Sequence, residues 1–300
     1  MHPVLFYIGN FYVGTYGALI ALGLVAGVSV AVWRAGKVGI DSNLVLVVAF
    51  YGVLAGLVGA RVTYILLSWG DFLRSPAEYL FSRTGFVFGG GLVFGIAVTI
   101  WLLRRRGQEK WAFGDVAAPS LALGHFFGRL GCFMAGCCFG KVCSVDFAWL
   151  GVRFPEVVDK GGEAIGSFPF LYQLQEAMIP PDAHQSLLIY PTQLFEAGAL
   201  LIIFGILQLA WRRRRFDGQI FLLYLMLYGA ARFGVEFLRG DMDRGFFDGL
   251  ATSQWLSLMA VVFAAVYWFR LRRRGLAVAQ KPASSKTKMK SARKPSLRAS

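Results

Sequence analysis

Seven apolar runs constrain this chain more than any other feature. They fall at about 12–33, 44–67, 85–103, 112–131, 191–211, 218–238 and 251–269, and each is long enough to cross a hydrocarbon core of ~30 Å as a helix. Inside lipid the backbone must satisfy its own N–H and C=O groups, so such runs fold as helices. Hydrophobic residues make up 56% of the chain and charged residues 16%, with a mean hydropathy of +0.56, which excludes an ordinary soluble domain. The formal charge of +14 would suit nucleic acid if it were spread out, but eleven Lys or Arg and no Asp or Glu lie from Arg270 onward. No nucleic-acid partner is expected.

The expected fold is all-α: an integral membrane protein with seven transmembrane helices over 1–274. A small extracytoplasmic cap occupies 142–190, between spans four and five, and residues 275–300 read as a disordered polybasic tail drawn to anionic membrane lipids. Twenty-one of the 31 Lys and Arg fall on one side of the spans and seven on the other. The positive-inside rule then places the amino terminus outside and the carboxy terminus in the cytoplasm. Met1, His2 and Pro3 offer no basic start to a signal peptide, so the first run reads as a membrane helix.

Several polar residues interrupt these runs. Arg129 lies within ALGHFFGRLGCFMAGCCFGK, Ala122 to Lys141, where a membrane helix pays about 2.5–3.5 kcal/mol for a central charge unless it has a partner, a wet cavity or a function. Spans two, four and six run outward and carry Arg61, Arg129 and Arg232 near their outer ends. Spans one, three and five run inward and carry Tyr16, Gly89 to Gly91, Gln193 and Glu196 near their starts. Arg232, Glu236 and Arg239 follow the spacing i, i+4, i+7 along one helical face. All of this polarity falls at one depth, where three arginines against Glu196 and Glu236 leave one net positive charge before Arg239 is counted. Arg61 alone also fits snorkelling to headgroups, and Gly89 to Gly91 fit either tight helix packing or free N–H groups for an anion. Since guanidinium holds phosphate oxygens in two places, the residues by themselves reach a phospholipid-handling site under the outer leaflet.

The four cysteines, Cys132, Cys137, Cys138 and Cys143, have the spacing C-x4-CC-x4-C. That is not a C-x2-C zinc pattern, so disulfides or small buried thiols are expected and no metal site is assigned.

GRLGCFMAGCCFG resembles the signature of the prolipoprotein diacylglyceryl transferases, in a variant form with cysteines where the better-known form reads GRxGNFxNGE. The similarity continues, in order, through YGALIALG, GARVTY, Gly90 to Leu92, YPTQLFEA, YGAARFGVEFLRGDMDRG and TSQWLSL. The resemblance implies a seven-helix inner-membrane enzyme that moves the diacylglyceryl group of phosphatidylglycerol onto the lipobox cysteine thiol of preprolipoprotein signal peptides. Glycerol phosphate leaves, a thioether forms, and no cofactor is involved. It further implies Arg232, Glu236 and Tyr16 as catalytic residues, with Arg129, Arg61, Arg239, Gly90, Gly91, Gln193, Glu196 and Gly140 binding substrate. Gly89 and Tyr190 stand where the better-known form has histidine, and Cys132 and Cys137 replace its asparagine and glutamate. Glu236, Tyr16, the lipid phosphate or His125 is then left to assist the thiol. The other readings are a catalytically altered relative that binds phospholipid or signal peptide without transfer, a transporter, and a thiol oxidoreductase using Cys137 and Cys138.

Overall fold

Each apolar run of the sequence carries one long helix in the computed structural model, which describes residues 2–9, 11–82, 85–158, 162, 167–241 and 245–274. The chain opens with an antiparallel hairpin of β1 (Val4–Ile8) and β2 (Phe11–Gly14), then α1 (Thr15–Val38) and α2 (Ser42–Leu67). Two short helices, α3 (Trp69–Arg74) and α4 (Pro76–Phe81), precede α5 (Phe88–Arg105) and α6 (Lys110–Ala135). A 3₁₀ turn at Val145–Leu150 and α7 (Phe168–Gln175) lead to α8 (Thr192–Trp211) and α9 (Gln219–Glu236). The hairpin β3 (Phe246–Phe247) and β4 (Leu250–Ala251) runs into α10 (Thr252–Arg274). The polybasic tail expected over 275–300 lies outside the described residues.

Among the described residues, α1, α2, α5, α8 and α10 are long and apolar enough to cross a membrane. The other two long helices, α6 and α9, carry Asp115, His125 and Arg129, and Arg232 and Glu236. Phe50 is 64% exposed, Ile202 67% and Leu209 71%, and side chains this apolar and open on long helices suit lipid rather than water. The chain is a multi-pass membrane protein.

The expected first span began at residue 12, but Phe11–Gly14 is a strand paired with Val4–Ile8. An unbroken apolar stretch does not separate strand from helix by periodicity, and the helix begins only at Thr15.

The bundle is organised around α6, which packs against α1, α5, α8 and α9, while α2 lies along α5 and α10 along α9. The start of α9 is pinned to α6 by Asp115, which is fully buried. Its carboxylate accepts from the N–H groups of Gly218 at 2.9 Å, Ile220 at 2.8 Å and Phe221 at 2.9 Å. Those are donors that a helix start leaves unsatisfied, here met by a neighbouring helix.

The α2–α5 seam depends on glycine. A Cβ at Gly90 would lie 2.0 Å from Thr63 Oγ1 and 2.8 Å from the Gly59 carbonyl, and one at Gly91 would lie 2.8 Å from the Gly56 carbonyl. Of the two readings open for Gly90 and Gly91, the geometry matches close helix packing. Gly90→Ala is expected to lower unfolding stability in detergent by about 1–3 kcal/mol through overpacking, checked by thermal unfolding. A change in lipid affinity at unchanged stability would instead make Gly90 a ligand contact.

Between α6 and α8 the chain forms bridges at Val142↔Ile189, Val152↔Ile189 and Pro155↔Gln185, over a small core of Phe139, Phe154 and Ile189. Gln173, on α7, accepts the N–H of Leu187 at 2.7 Å. The segment is mostly irregular backbone held by these pairings.

Candidate active site

The end of α6, the start of α8 and the end of α9 meet at Glu196. This glutamate is 2% exposed, and its two oxygens gather side chains from both neighbouring helices. Oε1 lies 3.1 Å from Arg129 Nη2, accepts from the Tyr228 hydroxyl at 2.9 Å and lies 3.8 Å from His125 Nε2. Oε2 lies 3.8 Å from Arg232 Nη1, whose Nη2 is 2.7 Å from Glu236 Oε2. Arg129 Nε donates to His125 Nε2 at 3.2 Å, so that nitrogen presents its lone pair to the arginine and the ring proton sits on Nδ1.

Helical spacing explains the convergence. His125 and Arg129 are one turn apart on α6, and Tyr228, Arg232 and Glu236 form a ladder at intervals of four on α9, so each set presents one face. The missing partner, Tyr228, was legible as the residue one turn before Arg232. Arg232 Nη1 is buried and donates no hydrogen bond among the described residues, because 3.8 Å to Glu196 Oε2 is too long for one. An unspent guanidinium donor in a buried site is a receptor for an anionic oxygen.

The charge balance differs from the one expected. Arg61 does not join the Glu196 cluster: its Nη1 and Nη2 donate to the carbonyls of Gly85 at 3.1 Å and Ser82 at 3.0 Å, at the base of α5. Its guanidinium also lies over Phe86. Among the described residues, Arg129 and Arg232 are the arginines paired with Glu196 and Glu236. Arg239 is engaged by Asp241, with Nε donating to Oδ1 at 2.9 Å.

The other expected residues lie in three places around the cluster. Gln193 Nε2 donates to the Cys137 carbonyl at 2.8 Å and Thr192 Oγ1 to that of Cys138 at 3.0 Å, so the start of α8 clamps the turn after α6. Gly140 is a backbone crossing: it bridges Arg239, and a Cβ there would lie 2.3 Å from the Tyr190 carbonyl. Gly140, Glu236 and Arg239 line a cavity of about 410 Å³ that shares Glu236 with the cluster but lies to one side of it. Tyr16, in the first turn of α1, packs on Gly131 of α6 and lies within electrostatic reach of Arg129, Cys132, Cys137 and Cys138.

All four cysteines are free thiols, so the disulfides that the sequence allowed are not formed. The Sγ atoms of Cys132, Cys137 and Cys138 lie within 4.8 Å of one another, a grouping that the linear zinc patterns did not reveal. Arg239 and Arg129 lie within electrostatic reach of the Cys138 thiol.

These features can be set beside known proteins. The phosphatidylglycerol–prolipoprotein diacylglyceryl transferase of Clostridium tetani is 32% identical over 91% of this chain and 98% of its own length. A protein of the same name from Enterococcus faecalis is 31% identical over 85% of this chain and 86% of its own, and one from Proteus mirabilis 30% over 93% and 95%. The sequence model of the prolipoprotein diacylglyceryl transferases matches residues 3–270, which covers every helix described above but for the last turn of α10, and the chain belongs to that family.

Proposed function

We propose that the Glu196 cluster is where this chain, a transferase of lipoprotein biosynthesis, moves the diacylglyceryl group of phosphatidylglycerol onto the lipobox cysteine thiol of a preprolipoprotein signal peptide. The relatives' names supply the lipid and the protein substrate. The observation that carries the site is the pair Arg129 and Arg232, projecting from two helices onto one buried carboxylate, with Arg232 Nη1 unspent.

In this reading the lipid phosphate enters between the two arginines and takes the free Nη1 donor. Glu196 keeps both guanidinium planes oriented, Tyr228 fixes Glu196, and Glu236 holds Arg232 from the other side. As the carbon–oxygen bond to phosphate breaks, charge grows on the leaving glycerol phosphate, where two fixed cations stabilise it most. Glu236 is engaged by Arg232 at 2.7 Å and His125 Nε2 by Arg129, so neither carboxylate nor imidazole is poised as an open base. The chain is read as seven spans (α1, α2, α5, α6, α8, α9 and α10) in a bacterial inner membrane. Its amino terminus is outside, residues 142–190 cap the outer face, and 275–300 form the cytoplasmic tail. That arrangement puts the cluster beneath the leaflet into which a lipoprotein's cysteine is delivered.

The test is release of glycerol phosphate when the full chain, in phosphatidylglycerol vesicles, receives a lipobox peptide. Release with the cysteine peptide and none with its Cys→Ser version is the expected pattern. Binding of lipid and peptide with no release would identify a non-transferring relative instead.

A further inference from the structure

The three-thiol turn has a geometry of its own. Cys132 occupies the last turn of α6, and the helix stops at Gly136, whose φ of 76° is left-handed. The Gly136 N–H bonds the Phe133 carbonyl at 3.2 Å and the Cys137 N–H bonds the Cys132 carbonyl at 3.1 Å. This pair of bonds is the helix-ending motif that sets the residue after the glycine against the residue four before it, usually as an apolar contact. Here both are cysteines. Cys138 then takes a left-handed φ of 59°, which a residue with a Cβ adopts at a cost of about 1–2 kcal/mol and which turns its thiol back toward the other two. Gln193 and Thr192 hold the two carbonyls of the turn, so the thiols are positioned by bonds that do not involve sulfur.

We infer that Cys132, Cys137 and Cys138 are three ligands for a thiophilic divalent cation of the zinc type, with the fourth position left for the thiol of the lipobox peptide. Tetrahedral zinc at a Zn–S distance of about 2.3 Å separates its sulfurs by about 3.8 Å, within reach of thiols that already lie inside 4.8 Å of each other. Three protein ligands and one open position is the pattern of catalytic zinc, whereas structural zinc is closed by four. Three thiolates around a dication leave one negative charge and a fourth thiolate leaves two, and Arg129 and Arg239 lie within electrostatic reach of Cys138 to balance them. Cys132 is buried and the other two are half-buried, so the site is partly open for an incoming ligand.

This inference rests on the proposed transfer reaction and supplies a way to activate the thiol in it, because Gly89 and Tyr190 stand at the histidine positions while Glu236 and His125 are engaged by arginines. On coordination the peptide thiol gives its proton to solvent. The sulfur lone pair forms the new carbon–sulfur bond, and the electron pair of the broken carbon–oxygen bond leaves with glycerol phosphate. The resulting thioether is uncharged and a weak ligand, so product departs and the cation stays. Nothing is oxidised or reduced.

The experiment is elemental analysis of the full chain purified in detergent under reducing conditions, followed by replacement of the metal with cobalt. About one zinc per chain is expected, falling about tenfold or more in Cys132→Ser and Cys137→Ser and unchanged in Cys143→Ser. The cobalt form should show sulfur-to-cobalt charge-transfer absorption, and its visible bands should shift on addition of the cysteine lipobox peptide but not on addition of buffer or of the Cys→Ser peptide. Free thiols with no bound metal, a disulfide within the cluster, or zinc indifferent to these substitutions would overturn the site. A metal-free chain that transfers at full rate also overturns it while leaving the transferase reading intact. A chain that holds zinc and answers the peptide spectroscopically yet makes no thioether upholds the site and removes the transferase reading.

Discussion

Arg129→Lys is expected to slow diacylglyceryl transfer by about a hundredfold or more while the chain still folds. The substitution keeps the charge and removes the fork. Arg129 reaches Glu196 with Nη2 at 3.1 Å and His125 with Nε at 3.2 Å, and a planar guanidinium does both at once. An ammonium is a single point that cannot hold two fixed partners and a phosphate oxygen with the same geometry. Because the net charge is unchanged, a fall in rate reports lost positioning. The check is kcat and KM for phosphatidylglycerol on wild type and variant, with thermal unfolding alongside. An unchanged rate would remove the two-point role of Arg129.

Glu196→Gln should cost about 3–5 kcal/mol of stability, the usual penalty for removing one partner from a buried charge pair. Glu196 stands between Arg129 and Arg232, so its neutralisation removes the carboxylate that the two cations share. The amide keeps one oxygen that can accept from Tyr228 but turns an NH2 donor toward one of the two arginines. The informative control is Glu156→Gln: that glutamate pairs with His184 at an exposed position, where such pairs contribute about 0–1 kcal/mol. Unfolding midpoints in detergent check both, and equal small shifts would show that Glu196 is not the hub of the cluster.

Much of this was legible in the sequence because the bilayer leaves few choices. Each apolar run became one long helix, and the depth argument brought Arg129, Glu196, Arg232 and Glu236 together from three separate spans. What failed has specific causes. Arg61 shares the depth of the cluster but is turned toward the backbone of Ser82 and Gly85, and depth along a helix says nothing of rotation about the bundle. Gly90 and Gly91 fitted two readings until the approach of α2 was known. The strand Phe11–Gly14 was hidden because hydrophobicity does not distinguish it from the helix that follows. The link from Asp115 to the start of α9 left no mark in the sequence, because its partners are backbone N–H groups about a hundred residues later. The grouping of three thiols was hidden because a helix end folds the C-x4-C spacing of Cys132 and Cys137 onto itself.

The transfer reading turns on whether the arginine pair at Glu196 is the reaction centre. The most direct measurement is the intact mass of a lipobox peptide after incubation with the full chain in phosphatidylglycerol vesicles, for wild type and for folded Arg232→Ala. The expected result is a diacylglyceryl mass on the cysteine with wild type, formed about a hundredfold or more slowly by the variant. Equal product from both chains would contradict the assignment of the site.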